Sequence, residues 1–279
     1  MKTFQVSASI VVYKNRPQDV VSAVKSVLDS PLRVRCTVVD NSPNPELQRH
    51  VVEIGAKYIF NGRNCGFGTG HNLTLQADAE TSEYQLVLNP DVSFGSDVLA
   101  TLYRFMNDSR DVGLVMPKIL YPDGSEQRLC KRLPSPVELI SRRFLGRIGK
   151  ILFANRLRSY ELRFLDLTVP REIPCLSGCF MFLRSTTLRE IGSFDERYFM
   201  YMEDVDLCRR IGLKHKTVFY PEVAVIHGYT KGSYRNVLLL KYHMRSALKY
   251  FNKWGWIRDP DRSKLNTKTK VYKPEYHEC

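Results

Sequence analysis

The sequence is short of acid, of long apolar runs and of paired cysteines, and each shortage narrows what the protein can be. Asp and Glu number 29 against 42 Lys and Arg, a net charge of +13. That balance favours anionic partners: nucleoside diphosphates, nucleic acid or the anionic face of a membrane. No uninterrupted apolar run reaches the roughly 18 to 20 residues that span a bilayer, and the N-terminal MKTFQVSASIVVYK lacks the layout of a signal peptide. The expectation is a cytoplasmic protein. The seven cysteines include no pair of CxxC motifs, so neither a zinc site nor a disulfide framework is indicated, and Cys175 and Cys179 read as reduced core thiols. There is no internal repeat or low-complexity tract, and no nucleic-acid recognition motif accompanies the charge, so nucleic acid is not an expected partner.

What is present fits one compact unit. A chain of 279 residues with 43% apolar content can bury one large core. VSASIVVYK is a nearly continuous β-branched run, as in a strand buried on both faces of a parallel sheet. Pro17 then opens an amphipathic helix over 19–28, with Val20, Val21, Val24, Val27 and Leu28 at helical spacing. VRCTVVD is a second strand ending at Asp40, and KYIF, HNLTLQADA, YQLVLNPD, DVLATLYRFM and VGLVMP continue the alternation. This predicts a Rossmann-like, doubly wound, mostly parallel α/β sheet. Such sheets bind ligands beyond the carboxyl ends of their strands, where Asp40, residues 61–70 and Asp91 all fall.

Beyond residue 128 the pattern changes. Residues 128–163 interleave ten Lys and Arg with Leu139, Ile140, Phe144, Leu145, Ile148, Ile151, Leu152 and Phe153, predicting a basic amphipathic helix or helix pair. Two readings stand side by side: a face resting on an anionic membrane, or a lid with a solvated basic side. A final helix over 234–254 has the same mixture, and the polar tail 259–279 reads as mobile.

Three segments could carry chemistry. NGRNCGFGTGHN, residues 61–72, follows a later strand and not the first, which argues against a dinucleotide fingerprint. It reads either as a backbone loop approaching a nucleotide, fixed by Asn64 and Asn72, or as a tight turn into the next helix. LVLNPDV delivers Asn89, Pro90 and Asp91 at a strand end; a carboxylate there can hold a hard divalent cation against a diphosphate, or simply serve a turn. In residues 177–211, Glu203, Asp204 and Asp206 open a helix. Capping explains part of that acidity, and a general base for an acceptor hydroxyl would explain the rest.

Together IVVYKN, VVDNS, NCGFGTGHN, LNPDV, GSFDERYFMYMEDVDLCRR and IHGYTKGSY resemble glycosyltransferase family 2, in its rhamnosyltransferase-like branch of bacterial O-antigen and capsule assembly. The resemblance runs from about residue 6 to 254 and is weaker between 125 and 172. It implies a GT-A fold over one catalytic domain, 1–258, with a nucleotide-binding half to about 120 and an acceptor half after it. It also implies a nucleoside-diphosphate-sugar donor, Mg²⁺ or Mn²⁺, and inversion at the anomeric carbon. By position, Asp40 would meet the base or ribose, and Asn61, Asn64, Gly66, Asn72 and Asn89 would line the nucleotide. Asp91 would be the remaining acid of the metal-binding DxD motif, whose first acid is Asn89 here, leaving the metal dependent on diphosphate, water and His227. Asp204, with Glu203 beside it, would be the catalytic base. His227, Lys231, Arg235 and Arg245, with Lys241, would meet the diphosphate, although a lone His after a strand is also an ordinary structural residue and the cations also fit a solvated or membrane-facing side.

The implied reaction moves L-rhamnose from dTDP-L-rhamnose to a glycan or polyprenyl-diphosphate-linked acceptor, with the enzyme peripheral on the inner face of the cell membrane. GlcNAc or galactose are the alternative sugars. A sugar nucleotidyltransferase would place a glycine-rich basic loop after its first strand, where this chain has YKNRP. A non-catalytic basic protein that binds membrane or nucleic acid is the competing class.

Overall fold

The computed structural model describes residues 3–144, 152–228 and 237–274. Its first part alternates as the periodicity predicts, with one short helix, α2, that the periodicity does not mark: β1 (Phe4–Val12), α1 (Pro17–Leu28), β2 (Val34–Asp40), α2 (Gln48–Glu53), β3 (Lys57–Phe60), α3 (Phe67–Ala77) and β4 (Ser82–Leu88). Residues 6–10 of β1 are buried on both faces, which is why that strand reads as an unbroken apolar run. Pro17 starts α1 at a position where a missing N–H costs nothing, and Val20, Ala23, Val24 and Val27 form its buried stripe.

β5 (Val92–Ser93), α4 (Asp97–Asp108) and β6 (Val112–Leu120) follow, then the helices α5 (Pro136–Phe144) and α6 (Ala154–Tyr160). The remainder comprises β7 (Arg171–Glu172), β8 (Phe180–Arg184), α7 (Ser185–Ile191), α8 (Glu203–Gly212), β9 (Lys216–His227), α9 (Val237–Trp254) and α10 (Pro260–Asn266). One mostly parallel mixed sheet runs β3-β2-β1-β4-β8-β6-β9-β5, with β7 also pairing β9.

β1 to β4 are mutually parallel, and β4 joins β1 on the side opposite β2. The strand order therefore reverses at β1, and a crevice opens there at the carboxyl ends. β8 runs antiparallel to both β4 and β6, so β6 points the same way as β4, and β9 pairs parallel with β6. This sets the ends of β1, β2, β4 and β9, and the start of β8, along one rim.

The C-terminal segment departs from the expected mobile tail. Asp259 is buried and caps α10, while Leu265 and Tyr272 enter the core. Tyr272 donates from its hydroxyl to Asp111 at 2.8 Å. These anchors are single residues spaced without period, so the sequence pattern does not expose them. The compact unit thus continues past residue 258, to the last described residues.

Candidate functional site at the strand ends

Asp40 ends β2 fully buried. Its Oδ1 accepts from the Ser42 amide at 2.7 Å and its Oδ2 from the Tyr58 hydroxyl at 2.5 Å. Burial, then the Asp40 carboxylate, push the Tyr58 phenol well above its ordinary pKa, so the phenol stays a donor. A cavity of about 380 Å³ opens between the loops after β1 and β2, lined by Lys14, Asn15, Asp40, Ser42 and Asn44 among others. Lys14 adopts φ 56°, a left-handed conformation that is costly for a side-chain-bearing residue and common where a loop faces a ligand.

The glycine-rich segment connects this cavity to the other half of the site. Asn61 donates to Asn41 Oδ1 at 2.7 Å, Asn41 donates to the Gly66 carbonyl at 3.1 Å, and Asn64 accepts from the Gly66 amide at 3.0 Å. Gly66 has φ 91°, and a Cβ there would lie 2.3 Å from the Phe199 carbonyl oxygen, so only glycine fits. Gly66 thus sets a close approach between two loops.

Asn72 corrects the nucleotide-lining expectation. Its amide donates to the Phe194 carbonyl and to Glu196 Oε1, each at 2.9 Å, and its oxygen accepts from the Phe194 amide at 3.0 Å. The buried side chain is committed to clamping that loop and has no group left for a nucleotide.

Asn89, Asp91 and His227 converge at the ends of β4 and β9. Val92 pairs with His227 in the sheet, and His227 Nε2 lies 3.4 Å from Asp91 Oδ1 and 3.4 Å from the Asn89 amide nitrogen. Gln127 fixes the imidazole: its Nε2 donates to the His227 carbonyl at 2.8 Å, so its Oε1 accepts from the ring Nδ1 at 3.0 Å, leaving Nε2 turned to Asp91. Burial opposes the charged ring, but Asp91 and Cys179 outweigh it and raise His227 to about 10.

A divalent cation fits this pair in part. Neighbouring ligands of an octahedral ion about 2.1 Å away stand about 3 Å apart, close to the observed spacing, and a metal would take the place of the Nε2 proton. Among the described residues no group of three His, Cys, Asp or Glu could hold a metal alone. A hard ion would need most of its ligands from a diphosphate and water.

The acidic block supplies the opposite wall. Tyr201 and Met202 both have φ 69°, and this consecutive left-handed pair delivers Glu203 and Asp204 at the start of α8. Asp204 Oδ2 accepts from the Gly178 amide at 3.0 Å and Oδ1 from the Val205 amide at 2.8 Å. The neighbouring Cys179 carbonyl accepts from the Asn89 amide at 2.9 Å, so Asp204 stands a few residues' reach from Asn89 and Asp91.

The two acids differ sharply. Asp204 is half-buried, whereas Glu203 is buried, with Oε2 lacking a hydrogen-bond partner among the described residues. Burial and then the Asp204 charge push Glu203 up to about 8. At neutral pH Glu203 therefore carries a proton.

Asp206 is fully buried and structural: Arg210, Lys253 and the Trp254 indole all engage it. Arg245 and Lys241 lie exposed on α9, while Lys231 and Arg235 fall outside the described residues. Sequence reasoning missed Tyr58, Gln127 and Gly178, which act through other residues. Only Gly178, in SGC just before a strand, left a local signal.

Comparison with known proteins bears on the family and the fold. The family model Glycosyl transferase family 2 matches residues 9–192. An N-acetylglucosaminyl-diphospho-decaprenol L-rhamnosyltransferase of Mycobacterium tuberculosis is 29% identical over 237 residues, covering 80% of this chain and 75% of the relative. Rhamnosyltransferase WbbL of Escherichia coli is 26% identical over 207 residues, covering 70% and 73%. Among solved structures, the mannosyltransferase PcManGT from Pyrobaculum calidifontis, in complex with GDP-Man and Mn²⁺, superposes with TM-score 0.61 at 14% identity over 95% of this chain and 68% of that one. GalNAc-T7 with UDP, GalNAc and Mn²⁺ gives 0.63 at 16% identity over 91% of this chain, which spans half of that longer chain. At such identities the structural likeness speaks for the fold.

Proposed function

The chain belongs to glycosyl transferase family 2, and from that premise we propose that this glycosyltransferase inverts the anomeric carbon, uses Mg²⁺ or Mn²⁺, and moves L-rhamnose from dTDP-L-rhamnose. The proposed acceptor is a hydroxyl of a lipid-linked N-acetylglucosaminyl diphosphate, met at the inner face of the cell membrane. Two relatives named rhamnosyltransferases support rhamnose as the transferred sugar, and the acceptor named for one of them supports the lipid-linked sugar.

The observation that carries the reading is the placement of Asp204. A half-buried carboxyl group, registered by Gly178, stands across the strand ends from the Asp91–His227 pair. A single displacement needs a base behind the attacking oxygen and a cationic environment for the leaving group. The acceptor hydroxyl gives its proton to Asp204 as its oxygen bonds to the anomeric carbon. The bond from that carbon to the diphosphate breaks, and its electron pair leaves with the diphosphate. Both Asp204 oxygens accept backbone amides yet keep lone pairs, so the group is oriented without being consumed. Lys14 and Asp40 bound the nucleoside pocket, and His227 faces the diphosphate. A divalent cation held by Asp91 and His227 would neutralise charge on the departing diphosphate.

The test is turnover of a panel of nucleotide sugars with and without chelator, with the product anomer read by NMR. Chelator-sensitive transfer of rhamnose with inversion is expected. Preference for a GlcNAc or galactose donor would replace the donor assignment, and retention would overturn the mechanism.

A further inference from the structure

The outer face of α9 is exposed among the described residues, and its chemistry is specific. At about 100° per residue, its exposed positions fall within an arc of about 140°. Val237, Met244 and Leu248 line up as a stripe along one edge of that arc, 71%, 46% and 49% exposed. Lys241, Arg245 and Lys249 line one flank of that stripe, and the 18-residue helix contains no Asp or Glu. Just beyond it Ile257 is 90% exposed and Trp256 is 41% exposed. No helix among the described residues is long and apolar enough to cross a membrane.

The inner face of α9 holds the loop that presents the base. Ser246 donates to the Met200 carbonyl at 2.9 Å, the Tyr242 ring packs on Phe199 at 4.5 Å, and Tyr250 and Phe251 cluster with Tyr198 and Met202. Lys249 Nζ donates to the Arg197 carbonyl. Leu139 of α5 packs on the same cluster, and Val137 and Ile140 of α5 are exposed.

We propose that the stripe of Val237, Met244 and Leu248, flanked by Lys241 and Arg245, docks the protein on an anionic lipid bilayer. An apolar stripe with cations along one flank and no acid on the helix matches a surface that offers acyl chains beneath phosphate headgroups. A second copy of this chain is the poorer occupant, because a two-fold contact through α9 would bring Lys and Arg against Lys and Arg with no acid on the helix to meet them. Docking here sets the loop bearing Asp204 one helix away from the bilayer, where a lipid-linked acceptor presents its sugar. The value of that placement rests on the acceptor proposed above; the docking itself does not.

Co-sedimentation of the full chain with phosphatidylglycerol–phosphatidylcholine vesicles, against phosphatidylcholine alone, tests the proposal. The wild type is expected to pellet with the anionic vesicles and to be released as salt is raised. The pair Met244→Glu and Leu248→Glu should lower the bound fraction roughly tenfold or more. It should leave turnover of a water-soluble short-chain acceptor unchanged, which also reports correct folding; Val237→Glu provides a second probe at the opposite end of the stripe. Wild-type protein that stays in the supernatant, or binds both vesicles equally, overturns the proposal. So does a dimer in sedimentation velocity that these substitutions dissociate without changing vesicle binding. Absent turnover alongside intact vesicle binding would instead count against the acceptor and donor assignment.

Discussion

The Gly178 amide donates a 3.0 Å hydrogen bond to Asp204 Oδ2, and this contact ties the start of α8 to the strand end beside Asn89. A Cβ at Gly178 would stand 3.2 Å from Asp204 Cβ, so the pair tolerates little displacement. Asp204→Asn should cut kcat roughly a hundredfold to ten-thousandfold while nucleotide affinity by calorimetry holds, since in the proposed mechanism the lost group takes a proton and binds no donor. Gly178→Ala should lower kcat in the same direction by a smaller factor. Near-normal turnover in Asp204→Asn would remove the base from this position.

In the proposed mechanism Asp91 and His227 act on the nucleotide through charge. Asp91→Ala is expected to weaken nucleoside-diphosphate affinity measured with Mn²⁺ by at least roughly tenfold, with little change when chelator is present. Gln127→Leu leaves both donors in place but frees the imidazole to rotate, and a loss of roughly tenfold to a hundredfold in metal-dependent affinity should follow. Equal affinity in all three proteins would show that the pair does not serve the diphosphate.

Glu203 makes stability depend on pH. Its carboxyl titrates at about 8 in the fold against an ordinary 4.5, so the folded state binds more protons than the unfolded chain across that window. Stability from this group is therefore undiminished below about pH 4.5, declines as pH rises, and is fully lost above about 8. Glu203→Gln should flatten this decline, and its melting temperature should gain on the wild type between pH 5 and pH 8. A constant difference across that range would contradict the buried, protonated state.

Arg209 and Asp259 form a two-pronged ion pair, 2.7 and 2.5 Å, with both side chains 1% exposed. The guanidinium also lies 4.1 Å from the Trp254 ring centroid. Asp259→Ala leaves a buried charge uncompensated and should cost about 3 to 5 kcal/mol in urea unfolding, whereas replacing both partners by Met and Leu should cost much less. A silent Asp259→Ala would show that the C-terminal segment is not held this way.

β1, β2, β4, β6, α1 and α4 were legible because each buries a continuous face, and burial imposes a period that composition displays; α2, with only Val51 buried, and the two-residue β5 show no such period and were not legible. Asp40, Asp91 and Asp204 were legible as candidates because each follows an apolar run at a strand end or starts a helix. Asn72 was misread for the same reason: its place in a glycine-rich loop shows, but its partners, Phe194 and Glu196, lie more than 120 residues away. Gln127 escaped entirely, since its meeting with His227 spans 100 positions.

Local pattern, then, determined the secondary structure, the family and the residues competent for chemistry, because these depend on side-chain type and spacing along the chain. Tertiary structure alone decided the roles within pairs. It buried Glu203 and left Asp204 half-exposed, turned the His227 ring to Asp91, and drew Asp259 into the core, because protonation, orientation and docking are set by neighbours that only the folded sheet brings within a few ångströms.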